Sequence, residues 1–158
     1  MNKKIIFLMV IATTLFIGCA FAANSVNDFK VNENYKHVAG NDYYSFNLND
    51  NKDAGCLIFK NVDDDAYDNH NDPYDHLIHD DGRDYLHADD DMKISKNSDN
   101  TANFTDYDHA THGVVEVVDS NGQQYIVVFF AKDGSNNNDL ASQLTQFNTN
   151  NQVKAVAF

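Results

Sequence analysis

The sequence predicts an α+β domain: an antiparallel sheet built of hairpins, one C-terminal helix packed on it, and a final strand after the helix. Three observations carry that expectation. Gly113 to Asp133 holds two long apolar runs joined by Asn121-Gly122, the dipeptide best suited to a two-residue turn whose central residues both take positive φ. Asp139 to Asn148 then places Leu140, Ala141, Leu144 and Phe147 at helical spacing. After them Val153, Ala155 and Ala157 alternate with Lys154 and Val156, so strand, strand, helix and strand follow one another as in an antiparallel α+β unit.

Counting outward from Asn121 and Gly122 pairs Val118 with Tyr125, Val117 with Ile126, Glu116 with Val127 and Val115 with Val128. Side-chain alternation gives one wholly apolar face, Val115, Val117, Ile126, Val128 and Phe130, and a second face of Val114, Glu116, Val118, Tyr125, Val127 and Phe129. A pair this apolar on both sides belongs in the middle of its sheet. The C-terminal helix is expected to cover the wholly apolar face through Leu140, Leu144 and Phe147. Asn138 is its expected cap, Asp139 suits the positive end of its dipole, and Asn150 or Asn151 is expected to take the left-handed conformation that ends it.

Earlier in the chain, Tyr44, Phe46 and Leu48 alternate with Ser45, Asn47 and Asn49, and Asn51-Lys52-Asp53 supplies a turn before the run to Val62, which makes a second hairpin. Asn24 to Asn41 is polar and Asn-rich and predicts at most one irregular strand, around Val31, Tyr35 and Val38. Met92-Lys93-Ile94 reads as a short strand, and Asn97 to Asn103 as turn composition. Asn103-Phe104-Thr105 is a glycosylation sequon. Cys56 opens the apolar run Cys56-Leu57-Ile58-Phe59 and reads as a small buried hydrophobe, with no His at a spacing that would make it a nucleophile.

Residues 1–22 have the form of an export signal: Lys3 and Lys4, an apolar run from Ile5 to Ile17, and Ala20-Phe21-Ala22 where a signal peptidase needs small residues. Cleavage there leaves one domain, 23–158, whose size buries roughly two-thirds of its extended-chain surface. A lipid on Cys19 and an uncleaved anchor are the rivals, the apolar run being short of the ~20 residues a spanning helix needs. Each places the protein outside the cell, free or surface-attached, with membrane contact only through this segment. Losing Lys3 and Lys4 and no acid moves the formal charge from -13 to -15. Such a charge disfavours nucleic acid and anionic membranes and favours cations or basic partners. Only Cys56 survives cleavage, so no disulfide forms within one chain.

The signal segment, the Asp- and Asn-rich body and the ending GVVEVVDSNGQQYIVVFF through DLASQLTQFNTNNQVKAVAF resemble small secreted proteins of methanogenic archaea. The likeness covers mainly Gly113 to Phe158. It implies export and the hairpin-helix-strand unit, and it gives no residue a role.

Two stretches carry the candidate chemistry. In 62–91, VDDDAYDNHNDPYDHLIHDDGRDYLHADDD, carboxylates and imidazoles crowd around Arg83, the only fixed positive charge. Asp63, Asp64, Asp65, Asp68 and Asp72 offer oxygen ligands that suit Ca²⁺, as do Asp89, Asp90 and Asp91, while His76, His79 and Asp80 would suit Zn²⁺. The EF-hand spacing is absent, and a solvated acidic loop is the plain alternative. From Asp72-Pro73 onward Tyr74, Leu77, Ile78, Tyr85 and Leu86 have rough helical spacing, which would set His76, His79, Asp80, Arg83 and His87 on the opposite arc. The second stretch, FTDYDHATHG, carries Asp106, Asp108, His109 and His112 just before the central hairpin. The short His109–His112 spacing lets two imidazoles reach one metal, and a polar loop with surface imidazoles is the plain alternative.

With no catalytic signature, the sequence favours a non-enzymatic exported or cell-surface module that binds a protein, a glycan or a cation, Ca²⁺ before Zn²⁺. A metal-dependent hydrolase is the second reading and would need His76 or His79 to approach His109 and His112 around an open coordination position. A structural or inhibitory protein without a ligand is the third. The export reading predicts that mass spectrometry of secreted material finds an N-terminus at Ala23 or Asn24. A chain retaining Met1, or one lipidated on Cys19, contradicts cleavage.

Overall fold

The computed structural model describes residues 25–42, 44–61, 92–97, 100–106, 110–134 and 139–156. Over these the chain forms β1 (Tyr35–Gly40), β2 (Tyr44–Asn49), β3 (Ala54–Lys60), β4 (Met92–Lys96), β5 (Thr101–Asp106), β6 (Thr111–Ser120), β7 (Gln123–Lys132), α1 (Leu140–Asn151) and β8 (Lys154–Ala155), preceded by a 3-10 turn at Val26–Asp28. The strands form one sheet in the order β1-β2-β3-β7-β6-β5-β4, each pair of neighbours antiparallel, with β8 pairing to β6 beside β5. An α+β architecture with a mostly antiparallel sheet, one C-terminal helix and a final strand is therefore what the chain adopts.

Asn121 and Gly122 close the β6–β7 hairpin with φ of 54° and 87°. Both positive angles match the twist of the strands they join. The register sets Val118 opposite Tyr125, Val117 opposite Ile126, Glu116 opposite Val127 and Val115 opposite Val128. β7 pairs on its other edge with β3, from Ala54 opposite Ala131 to Lys60 opposite Tyr125. The hairpin is thus central, as its two apolar faces require.

The helix lies on the face opposite to the one expected. Leu140, Leu144 and Phe147 pack with Val118, Tyr125, Val127 and Phe129, and with Cys56 and Ile58 of β3. Val115, Val117, Ile126, Val128 and Phe130 belong to a second cluster on the other face, with Leu57, Phe59, Ala102 and Phe104. Apolarity could not choose between faces because both are buried. Topology decides it: β8 runs parallel to β7 with β6 between them, and a right-handed crossover admits the connecting helix on one face only.

Three further boundaries differ from expectation. Asp139, not Asn138, caps α1 by accepting from Ser142 N, and Gln152, not Asn150 or Asn151, takes the left-handed conformation, φ 53°. Thr101–Asp106 is a strand that reaches into the stretch of turn composition, because Ala102 and Phe104 are buried on one face while Asn103 points out. The one irregular strand that Asn24 to Asn41 allowed is present as Tyr35–Gly40, an edge strand bulged between His37 and Ala39. The Tyr35 hydroxyl donates to Gln143 Oε1 at 2.6 Å, which ties this edge to the helix.

Close approach explains Gly113, which stands opposite Phe104. A Cβ there would lie 2.2 Å from the Phe104 ring and 2.4 Å from the Phe129 carbonyl oxygen, so no larger residue fits without moving backbone. Cys56 is fully buried, and desolvation pushes its thiol far above the ordinary range, which leaves it protonated and unreactive.

Phe147 sits with Phe29 and Phe129, ring centroids 5.4 and 6.0 Å away. Truncating Phe147 or Phe129 to Ala is expected to cost about 3 to 5 kcal/mol in denaturant melts, the range for an emptied aromatic site. Midpoints near wild type for both variants would mean that the helix packs elsewhere.

Candidate functional site

Of the candidate residues, His112 and Asp106 lie among the described residues. Asp63, Asp64, Asp65, Asp68, Asp72, His76, His79, Asp80, Asp108 and His109 lie outside them, as do Asp89, Asp90, Asp91, the helix expected from Pro73 to His87 and the segment 1–22. Asp106 ends β5, paired with Thr111 and Met92.

β6 places His112 on the helix-bearing face, opposite Thr105 on one side and Ala131 on the other. The imidazole Nδ1 stands 2.9 Å from Asp133 Oδ1, just past the end of β7. In the neutral ring Nδ1–H donates to that carboxylate, which fixes the ring plane and leaves Nε2 as a lone-pair donor. Metal-bound and proton-accepting histidines are commonly oriented in this way. Both side chains are open to solvent, at 40% and 60%, so the pair orients more than it stabilises. The Asp133 amide donates to the Ala110 carbonyl at 2.6 Å, which pins the carboxylate's backbone to the chain entering β6. Beside the ring a groove of about 390 Å³ runs between β5 and the start of α1, lined by Asn103, Thr105, His112, Leu140 and Ala141.

Among the described residues no three of His, Cys, Asp and Glu gather closely enough to hold a metal. His112 is one ligand or one base, and a complete coordination set needs groups from elsewhere in the chain.

Glu116, on the same face, is 4% exposed beneath the helix and accepts from Asn148 Nδ2. A carboxylate buried this way needs such bonds, and this one anchors α1 to β6. Its role is in packing.

The structure also gathers residues from the polar face of β2, to which the sequence assigned no role. Ser45 and Asn47 are each 4% exposed, whereas Tyr44, Phe46 and Leu48 are half-buried. Asn47 Nδ2 donates to Ser45 Oγ at 3.1 Å and to the Cys56 carbonyl at 3.5 Å. Ser45 Oγ lies 3.5 Å from His37 Nδ1. With Asn27, Phe29 and Val31 they line a second cavity, of about 220 Å³. What buries them is the segment before β1, whose Lys30 backbone exchanges two hydrogen bonds with the Asn151 side chain, at 2.8 and 2.9 Å. The period-two pattern of β2 shows which residues share a face but not that a distant segment lies over the polar one.

Among the described residues no helix is long and apolar enough to cross a membrane. Comparison of the chain with protein-family models, curated proteins and solved structures found no match in any of the three.

Proposed function

We propose that this chain is an exported, non-enzymatic binding module that takes a divalent cation and presents an acidic surface to a basic protein or a glycan. The observation that supports this reading is where the candidate chemistry stands. Both faces of the central strands are filled by packing, and His112, held by Asp133, stands at the rim beside the chain that carries Asp108 and His109. The strongly negative charge of the chain, -13, points to cationic ligands. Calcium is the preferred ion, through Asp63, Asp64, Asp65, Asp68 and Asp72, because loose carboxylate clusters suit its flexible coordination and exported compartments supply it.

The orientation of His112 also supports a second reading, a metal-dependent hydrolase that joins this imidazole to His109 and to His76 or His79. The two readings part on ion and residue. Added Ca²⁺ is expected to raise the melting midpoint more than Na⁺ at equal ionic strength, with a gain of about 1.4 kcal/mol at tenfold excess over its Kd. Changing Asp63, Asp64 and Asp65 together to Asn removes that gain. Equal shifts from the two salts contradict cation binding. A Zn²⁺ shift that disappears in His112→Ala transfers the function to the imidazoles.

A further inference from the structure

We infer that the cavity between β1, β2 and the segment before β1 is a binding site for a single neutral polyol ring of hexose size, such as the terminal residue of a glycan. The inference deepens the binding-module reading by naming a ligand class, and it rests on a surface that the cation does not use.

The cavity is built from polar side chains in a largely apolar face. Across β2, β3 and β7 the row continues from Asn47 to Cys56 and Phe129, and the neighbouring row from Ser45 to Ile58 and Val127. Two polar residues, each 4% exposed, there replace the apolar residues that pack elsewhere on this face. Buried polar atoms are retained where their hydrogen bonds are met, and here they are met in one direction. The Asn47 amide hydrogens point to Ser45 Oγ and the Cys56 carbonyl. The Ser45 hydroxyl oxygen lies 3.5 Å from His37 Nδ1, and either group can donate, according to the ring's tautomer. Asn27 Nδ2 donates to the Asn41 carbonyl at 3.2 Å. Among the described residues, Oδ1 of Asn47, Oδ1 of Asn27 and Nε2 of His37 have no hydrogen-bond partner: two acceptors and one imidazole nitrogen, which donates or accepts according to its tautomer, from the side chains that line one cavity.

That set selects the ligand. None of the lining side chains carries a fixed charge, so an ion finds no counter-charge there. Hydroxyl groups donate to the two carboxamide oxygens and, being both donors and acceptors, pair with the imidazole nitrogen in either tautomer, and a polyol offers several of them side by side. Phe29 and Val31 supply an apolar wall for the carbon-bound face of a ring. At about 220 Å³ the cavity lies below the roughly 300 to 1,000 Å³ of sites that enclose drug-sized ligands. One ring fits that space. A Cβ at Gly40 would lie 2.8 Å from both His37 Cε1 and the Tyr44 carbonyl oxygen and 3.3 Å from Asn27 Oδ1, so a larger residue there would displace two of the lining side chains.

The test is a titration of the isotope-labelled mature chain with glucose, galactose and N-acetylglucosamine, and with glycerol as a small-polyol control, read from the side-chain amide signals of Asn27 and Asn47 and the ring signals of His37. At least one hexose is expected to shift these signals saturably with a Kd on the order of 1 mM, while glycerol does not. Asn27→Ala, which changes an exposed side chain, is expected to weaken the hexose about tenfold, the effect of one hydrogen bond, with an unchanged melting midpoint. The absence of a saturable shift with every sugar overturns the proposal, as does an equal response to glycerol or a Kd unaffected by Asn27→Ala. A failure here leaves the Ca²⁺ melts untouched, and a failure of those melts leaves the hexose titration to stand alone.

Discussion

Burial of both faces of the β6–β7 hairpin is the constraint on which the rest of this structure depends. Val115, Val117 and Val128 fill one side, and Val118, Val127 and Phe129 the other, all at 2% exposure or less. A hairpin of this composition cannot lie at an edge, and it cannot serve a sheet with one wet side. It therefore recruits β3 along β7, and β5 and β8 share the outer edge of β6. It also requires cover, which α1 and the turn at Val26–Asp28 provide on one face. Glu116 is the single charge on the buried part of the hairpin, and Asn148 of the covering helix meets it. The helix thus satisfies a hydrogen bond as well as burying surface.

Much of this was legible in the residues, and the misses have physical causes. Asn121-Gly122 marked the turn, and counting outward from it gave the observed register, because the pairing of a two-residue hairpin follows from its loop. The spacing of Leu140, Leu144 and Phe147 marked the helix and its buried stripe. What local pattern could not supply was the choice of face, which chain direction and crossover hand determine. Cap positions slipped by one or two residues because Asn138 and Asp139 are both good caps and Asn150, Asn151 and Gln152 all stand where the helix ends. β5 was obscured by Asn97, Asn100 and Asn103, although Ala102 and Phe104 alternate within it. The second cavity was missed for a deeper reason. Ser45 and Asn47 were legible as one polar face of β2, but what brings the upstream segment over them is distant in sequence: the Asn151 bonds to Lys30 and the packing of Val26 and Phe29 in the core. His112 was singled out from its spacing, but its partner Asp133 lies across the hairpin and has no local signal.

The fold separates a packed frame from the residues able to recognise something else. Cys56 is sealed within the frame, and the Asn148 amide donates to Glu116 there. The open groups stand at the margins of the helix-bearing face, with His112 and the groove beside it on the β5 side and His37 with Asn27 and Asn47 on the β1 side. A strongly acidic chain built in this way suits recognition at its margins and loops, where a change of ligand leaves the core unaltered.

Native-state hydrogen exchange tests the central claim most directly, because protection reports how much of the structure must open to free each amide. If the doubly buried hairpin organises the fold, the amides of Val115, Val117, Val127 and Val128 exchange only with global unfolding, while those of β1 and β4 exchange through smaller local openings. Edge-strand amides as slow as those of β7, or hairpin amides that exchange through local opening while the helix stays protected, would contradict it.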